Sequence, residues 1–515
     1  MAGDIDVDAL AGLMAERPRS LALFDIREAG EAEQGHIPFA TFLPRRLIEL
    51  RIGELVPSTA QDIVVYDGGE ADGRAALAAA TLAEFGYRAV RILTGGLGAW
   101  RAAGRPVATG VNVPSKRFGE EIHEHDGVES IDSDRLAQMR AAGETFEQWD
   151  VRTPAEFGRA TLPGSRNVPG VEIVGRATEA AREGSLVVVH CAGRTRGIIA
   201  ARTLALLGVE RVVALENGTM GWRLSGRTLV PGDRVEAPFD DDGAVAGALA
   251  DASGVLRLSP AEVERRARRH ASEPVILVDV RSEEAYLAGH IASSCSRPGG
   301  QLIQCTDEVL AVEAVPVILV DDGNGRAAMA AYWLRRMGFS EVALLDGGVP
   351  AWRAAGLPLA KRPATVPAWL ARLRDTVPSV APSRLGEASR IVLDVGTSRD
   401  FKKGHIPGAL WLPRGWLEAR LAEISQDGLD FGREIVVTAA DESQAILAVA
   451  TLRRLGHRAS WLAGGNAGWV AQGGTLESTE HLPLDLPQDV VDPPYLKGEA
   501  GMRAYLDWEI ALTGS

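Results

Sequence analysis

The chain repeats itself four times. That self-similarity constrains its fold more than any other feature, because each copy must be a folding unit or part of one. In each copy an apolar run carrying Asp is followed by Gly-His-Ile or a relative of it. The copies are Leu23-Phe24-Asp25-Ile26-Arg27 with Gly35-His36-Ile37-Pro38, and Trp149-Asp150-Val151-Arg152 with Thr161-Leu162-Pro163-Gly164. The others are Leu277-Val278-Asp279-Val280-Arg281 with Gly289-His290-Ile291, and Val392-Leu393-Asp394-Val395-Gly396 with Gly404-His405-Ile406-Pro407-Gly408. A second apolar run follows each: Ile63-Val64-Val65-Tyr66, Leu186-Val187-Val188-Val189, Val317-Ile318-Leu319-Val320 and Ile435-Val436-Val437-Thr438. Each copy then has a loop, an Ala/Leu-rich helical stretch, another short strand, and a small-residue pair ahead of a Trp. Those endings are Gly95-Gly96 with Trp100, Asn217-Gly218 with Trp222, Gly347-Gly348 with Trp352, and Gly464-Gly465 with Trp469.

The Trp positions lie roughly 120 residues apart, a domain-sized spacing far longer than a solenoid repeat. Short unbroken apolar strands alternating with helical stretches indicate βαβ units and a parallel sheet. The expected fold is therefore four doubly wound α/β domains, at residues 1–108, 115–235, 255–362 and 380–475. Linkers are expected at 104–114, at 235–254 with Asp240-Asp241-Asp242 inside, and at 358–382 with five prolines. The tail, 476–515, is Pro-rich and then amphipathic from Arg503 to Ile510, which reads as a helix docking on the body.

Composition narrows the function. Hydrophobic residues make up 46% and charged residues 24%, the balance of a globular chain. A net charge of −14 argues against nucleic-acid binding, which needs clustered Lys and Arg. The three cysteines, Cys191, Cys295 and Cys305, make no disulfide framework, no CxxC and no zinc-finger spacing. No metal and no cofactor are expected, and a reducing cytoplasm is the expected compartment. No basic stretch runs into an apolar one at the N-terminus, and no segment of about 20 apolar residues occurs, so neither a secretory signal nor a membrane span is expected.

The loop after each second apolar run is where chemistry belongs. Ligands of open α/β sheets bind beyond the carboxyl ends of strands, and a loop closing into a helix N-terminus presents free N–H groups to an anion. Counting back 17 residues from Gly208, Gly338 and Gly456 reaches Cys191, Asp321 and Ala439. In the first copy the loop is two residues longer, and Asp67 holds the place. One copy in four thus has a nucleophile. Its loop reads Cys191-Ala192-Gly193-Arg194-Thr195-Arg196-Gly197. A helix N-terminus and cationic neighbours favour a thiolate, and Gly193 lets the amides converge. Such a cradle suits Cys–S⁻ or Cys–S–S⁻, with Arg194 and Arg196 reading as binders of an anionic donor and the whole stretch Ala192 to Gly197 as the substrate-binding loop.

The remaining candidates read as fold. Asp-x-Arg recurs in copies without the cysteine, as Asp25/Arg27 and Asp279/Arg281, so it reads as a loop tie. His36, His290 and His405 recur likewise, and Thr161 takes that place in the second copy, which excludes a Cys–His pair from that position. His190 precedes Cys191 on the strand and points to the other face. Cys295 and Cys305 read as packing, and Glu216 as facing the pocket or capping a turn.

The Asp-Val-Arg and Gly-His-Ile-Pro-Gly-Ala segments (the latter at 404–409), the Cys loop and the Gly-Gly-x-x-x-Trp endings together resemble the rhodanese family over essentially residues 1–475. The resemblance implies four domains, each with a parallel sheet of about five strands. It implies that Cys191 takes sulfane sulfur from a small anionic donor such as thiosulfate, becomes a persulfide, and passes the sulfur to a thiol or cyanide. It implies that Asp67 and Asp321 mark inactive domains, and Ala439 has no reactive atom, so the fourth copy is also expected to be inactive. The loop departs from the family pattern: its glycine comes one residue early, at Gly193, and Gly197 replaces a small hydroxyl residue. Two other readings stay open, a non-catalytic sulfur carrier or scaffold and a Cys-dependent phosphatase or arsenate reductase. The phosphatase class would need Arg at position 197, where this chain has Gly.

Overall fold

The computed structural model describes residues 3–16, 19–233, 243–270, 272–361, 367–386, 390–426 and 433–514. The Asp240-Asp241-Asp242 run lies outside them. Four five-stranded sheets follow one another along the chain, each with the same strand order: first, fifth, fourth, second, third. In the second unit the strands are Ser130–Ile131, Phe146–Asp150, Arg166–Asn167, Leu186–His190 and Val212–Leu215, all parallel. The central strand of each sheet is buried over most of its length because helices cover both faces, which is why its sequence is mostly Val, Ile and Leu. No helix among the described residues is long and apolar enough to cross a membrane.

The repeated polar residues tie loops to the sheet. Arg27, Arg152 and Arg281 each bond the Asp two residues back and a carbonyl eight residues on, those of Gly35, Ala160 and Gly289. The fourth unit has Gly396 instead, and the Asn466 amide reaches Asp394 and the Gly404 carbonyl. His36, His290 and His405 bond the carbonyl four residues back. In the second unit Thr161 donates to Asp150 at 2.7 Å from that place. Each repeated Trp donates its indole N–H to the carbonyl six residues on, folding the end of the unit back.

A helix precedes each of the last three sheets, and two of them, Ala244–Ala252 and Ala368–Thr376, occupy ground that the sequence assigned to linkers. The three are Val113–His125, Ala244–Ala252 and Ala368–Thr376. The second of these buries Ala246, Gly247 and Ala250, and Gly243 at its start lies against Gly325. A side of small residues gives little hydrophobic periodicity to read, yet it permits close helix packing.

The units pair with local two-fold character. Arg45 reaches Glu418 at 2.9 Å, while Arg414, its counterpart in the fourth unit, bonds Glu49, the counterpart of Glu418. Units two and three meet where Gly170 and Gly300 touch, so closely that a methyl on either would sit 2.6 Å from the other's Cα. Trp333, fully buried, donates to Thr203 Oγ1 across the same junction. A cleft of about 790 Å³ opens there, lined from the second unit by Val151, Val168 and Arg196 and from the third by Arg281, Asp322 and Arg326.

Candidate active site

Cys191 directly follows the strand Leu186–His190, and the helix Thr195–Leu206 begins four residues later. Thr195, Arg196 and Gly197 therefore form the first helical turn rather than the loop the sequence suggested. The loop needs close quarters: Thr219 N donates to the Cys191 carbonyl and Met220 N to that of Ala192, each at 2.9 Å. Gly218 (φ +48°) lies so near the Cys191 carbonyl that any Cβ would overlap it. Gly96, Gly348 and Gly465 crowd the carbonyls of Asp67, Asp321 and Ala439 in the same way, which explains the second glycine of each pair.

Cys191 is 3% exposed. Burial pushes its thiol up, and Glu509 adds to that; the Arg196 guanidinium and the amides of Gly197 and Gly193 pull the other way. The same two amide positions act in the neighbouring units. Asp67 accepts from Gly69 N at 3.0 Å and Ala75 N at 2.9 Å. Asp321 accepts from Gly323 N at 2.8 Å and Ala327 N at 2.9 Å. By offset along the chain these are the counterparts of Gly193 and Gly197. The cradle is thus an anion holder, filled by a carboxylate in two units and by a cysteine sulfur in one.

Both arginines have carboxylate partners. Arg196 forms a two-pronged pair with Glu156, both contacts at 2.8 Å, and this pair holds the Glu156 carboxyl at about 2 against the effect of burial. The first unit repeats the pair as Arg74 with Glu31, so it belongs to the scaffold. Arg194 pairs with Glu120 at 2.7 and 2.8 Å; its chain counterparts are Asp72, Asn324 and Glu442, so this cation is particular to the second unit. Thr195 donates through N–H and hydroxyl to Glu509 of the C-terminal helix Gly498–Ala511.

His190 is fully buried, is pulled down to about 4 by burial, and shares a 2.7 Å hydrogen bond with Ser165. Glu216 accepts from the Ser130 hydroxyl. Cys295 has its thiol pushed up to about 11 by burial, and Cys305 is raised further. Neither has a cradle, and neither joins Cys191. Sequence reasoning missed Glu120, Glu156, Lys116, Tyr505 and Glu509. Glu156 left a local signal, the Thr153-Pro-Ala-Glu156 capping box, which states a helix start and conceals the pairing with Arg196, and Tyr505 and Glu509 lie in the amphipathic segment read as a docking helix.

A family model for the rhodanese-like domain matches residues 6–103, 132–225, 259–355 and 377–472. A crystal structure of a thiosulfate sulfurtransferase from Pseudomonas aeruginosa is 36% identical, with a TM-score of 0.89, covering 99% of this chain and 97% of that one. A putative thiosulfate sulfurtransferase, SseB, of Mycobacterium tuberculosis is 26% identical over 254 residues, 39% of this chain and 89% of the relative. A sulfurtransferase of Allochromatium vinosum is 36% identical over 107 residues, 21% of this chain and 95% of the relative. Four matches on four sheets of identical topology settle the kinship: the chain belongs to the rhodanese-like sulfurtransferase family, as four tandem rhodanese-like domains.

Proposed function

We propose that the chain is a sulfurtransferase whose second domain alone carries the chemistry, through a Cys191 persulfide. The domains divide at 1–108, 115–235, 255–362 and 380–475, with 476–515 as a docked tail. The Cys191 thiolate attacks the sulfane sulfur of thiosulfate or a related donor, the donor's S–S bond breaks, and sulfite leaves with the electron pair. A thiol or cyanide then takes the outer sulfur and Cys191 returns as thiolate. The observation that carries this reading is the shared cradle: amides that hold Asp67 and Asp321 carboxylates elsewhere converge on sulfur here. In this reading the backbone of Ala192 to Gly197 receives the sulfur. Arg196 supports the thiolate from beside the cleft, and Arg194 and Thr195 fix the loop.

The test is intact-protein and peptide mass spectrometry after thiosulfate. One added sulfur on Cys191, removed by cyanide and absent in Cys191→Ser, is expected. No added sulfur with any sulfane donor, or release of phosphate from an aryl phosphate, overturns the reading.

A further inference from the structure

The Cys191 loop is roofed by a segment more than 300 residues away in sequence. Met502 and Leu506 of the C-terminal helix pack with Met220 against Ala192 and Tyr505. This seats Glu509, 1% exposed, on the first turn of Thr195–Leu206, where one carboxylate oxygen accepts from the Thr195 N–H and hydroxyl. The other oxygen, Oε2, is buried with no hydrogen-bond partner, and it lies over the loop: a methyl on Gly193 would meet it at 3.0 Å. Lys116, from the helix Val113–His125, stands 3.8 Å from Glu509 Oε1 and bonds the Tyr505 hydroxyl.

The charges around the cradle therefore balance. Arg196 is matched by Glu156, Arg194 by Glu120 and Lys116 by Glu509. Before Cys191 ionises, these three pairs leave no surplus cation. A site built to hold a dianion beside a thiolate needs positive charge in excess, because each like-charge approach in a poorly solvated pocket is costly. Glu509 is the carboxylate of the three that hangs directly over the loop with an unused oxygen.

We infer that Glu509 is a specificity-determining residue of the sulfur-donor site, which selects donors of low charge over dianions such as thiosulfate. This rests on the Cys191 sulfurtransferase reading. The chemical step is unchanged: for an alkanethiosulfonate, RSO₂S⁻, Cys191–S⁻ forms a bond to the sulfane sulfur, and the S–S bond breaks with its pair leaving on the sulfinate. The products are Cys191–S–S⁻ and RSO₂⁻. Thiosulfate reacts alike and releases sulfite, but it brings one more negative charge.

Methanethiosulfonate and thiosulfate thus present the same bond at two charges. Persulfide formation at Cys191 would be timed by mass spectrometry with each, in the full chain. The wild type is expected to favour the thiosulfonate in kcat/KM. Glu509→Gln keeps the shape, leaves one surplus cation, and is expected to narrow that preference about tenfold by speeding thiosulfate. Lys116→Met is expected to widen it, and the double variant, neutral again, to return toward the wild-type ratio. The double variant guards against a fold weakened by a lone buried charge, and melting temperatures accompany every rate. A ratio indifferent to Glu509→Gln and to Lys116→Met, or a wild type that prefers thiosulfate, overturns the inference while leaving the sulfurtransferase intact. Absence of persulfide with both donors overturns the sulfurtransferase reading itself.

Discussion

Arg196→Met separates two roles that one side chain combines. The guanidinium opposes the upward push that burial gives the Cys191 thiol. An opposite charge within reach typically moves a pKa by about 1–3 units, and Glu156 shares this cation, so the lower end applies: the thiol should rise by about one unit. Below its pKa the thiolate fraction falls tenfold per unit, so alkylation of Cys191 by iodoacetamide at pH 7.5 should slow about tenfold. The same substitution leaves Glu156 without its partner. Breaking a buried pair by removing one member costs about 3–5 kcal/mol, but Glu156 is 30% exposed and keeps its bonds to Thr153, so about 2 kcal/mol is expected here. The assay is the pH profile of Cys191 alkylation, followed by peptide mass spectrometry, beside thermal melts of wild type, Arg196→Met, Glu156→Gln and the double variant. Glu156→Gln should lose stability comparably without slowing alkylation, since it frees the Arg196 charge. An unchanged profile in Arg196→Met, or equal slowing in both single variants, would refute the electrostatic argument.

Three further outcomes follow from the same geometry. Gly218→Ala forces a Cβ onto the Cys191 carbonyl at a left-handed residue, so it should cost roughly 1–3 kcal/mol and displace the loop, read as slower persulfide formation. Asp321→Cys, in a Cys191→Ala background, puts sulfur where the Gly323 and Ala327 amides already hold an anion; detectable persulfide there is expected by mass spectrometry, and complete inertness would weaken the cradle argument. Because the folded Cys191 thiol lies above its unfolded value of about 8.5, its contribution to stability is full below that pH and fades as pH rises through the folded value. The stability gap between wild type and Cys191→Ala should therefore shrink between neutral and strongly alkaline pH, and a gap that widens would contradict the sign.

The sequence disclosed the sheets and the cysteine for one reason: four copies allowed residue-by-residue comparison. Asp25 and Arg27 recur where no cysteine exists, so their pairing is a property of the fold, and Cys191 stands out against Asp67, Asp321 and Ala439. The carboxylate partners of Arg194 and Arg196 went unread because a loop cation is ordinarily solvent-facing, whereas here the helix begins at Thr195 and both guanidinia lie on carboxylates. Glu120 could not be paired with Arg194 from local pattern, since the contact depends on how Val113–His125 crosses the helix Thr195–Leu206. Glu509 was still less visible. Its bond to Thr195 spans 314 residues and belongs to no repeat.

The loops of the cysteine-free domains explain why a domain without the cysteine keeps the architecture of the one that has it. Buried amides that converge at a helix N-terminus must be satisfied, or each is left at a cost. Asp67 and Asp321 satisfy them with a carboxylate in the cysteine's own place. In the fourth domain Ala439 supplies nothing, and Asp441, two residues on, caps the helix Glu442–Arg454 by accepting from Ser443 N. The loops of the first, third and fourth domains thus each carry a carboxylate, and the second differs in carrying a sulfur that can react. The third domain adds to this from outside: its Arg281, Asp322 and Arg326 form the far wall of the cleft that Arg196 lines, with Arg326 paired to Glu172 of the second domain. A domain without a cysteine in its loop can thereby still shape what approaches Cys191.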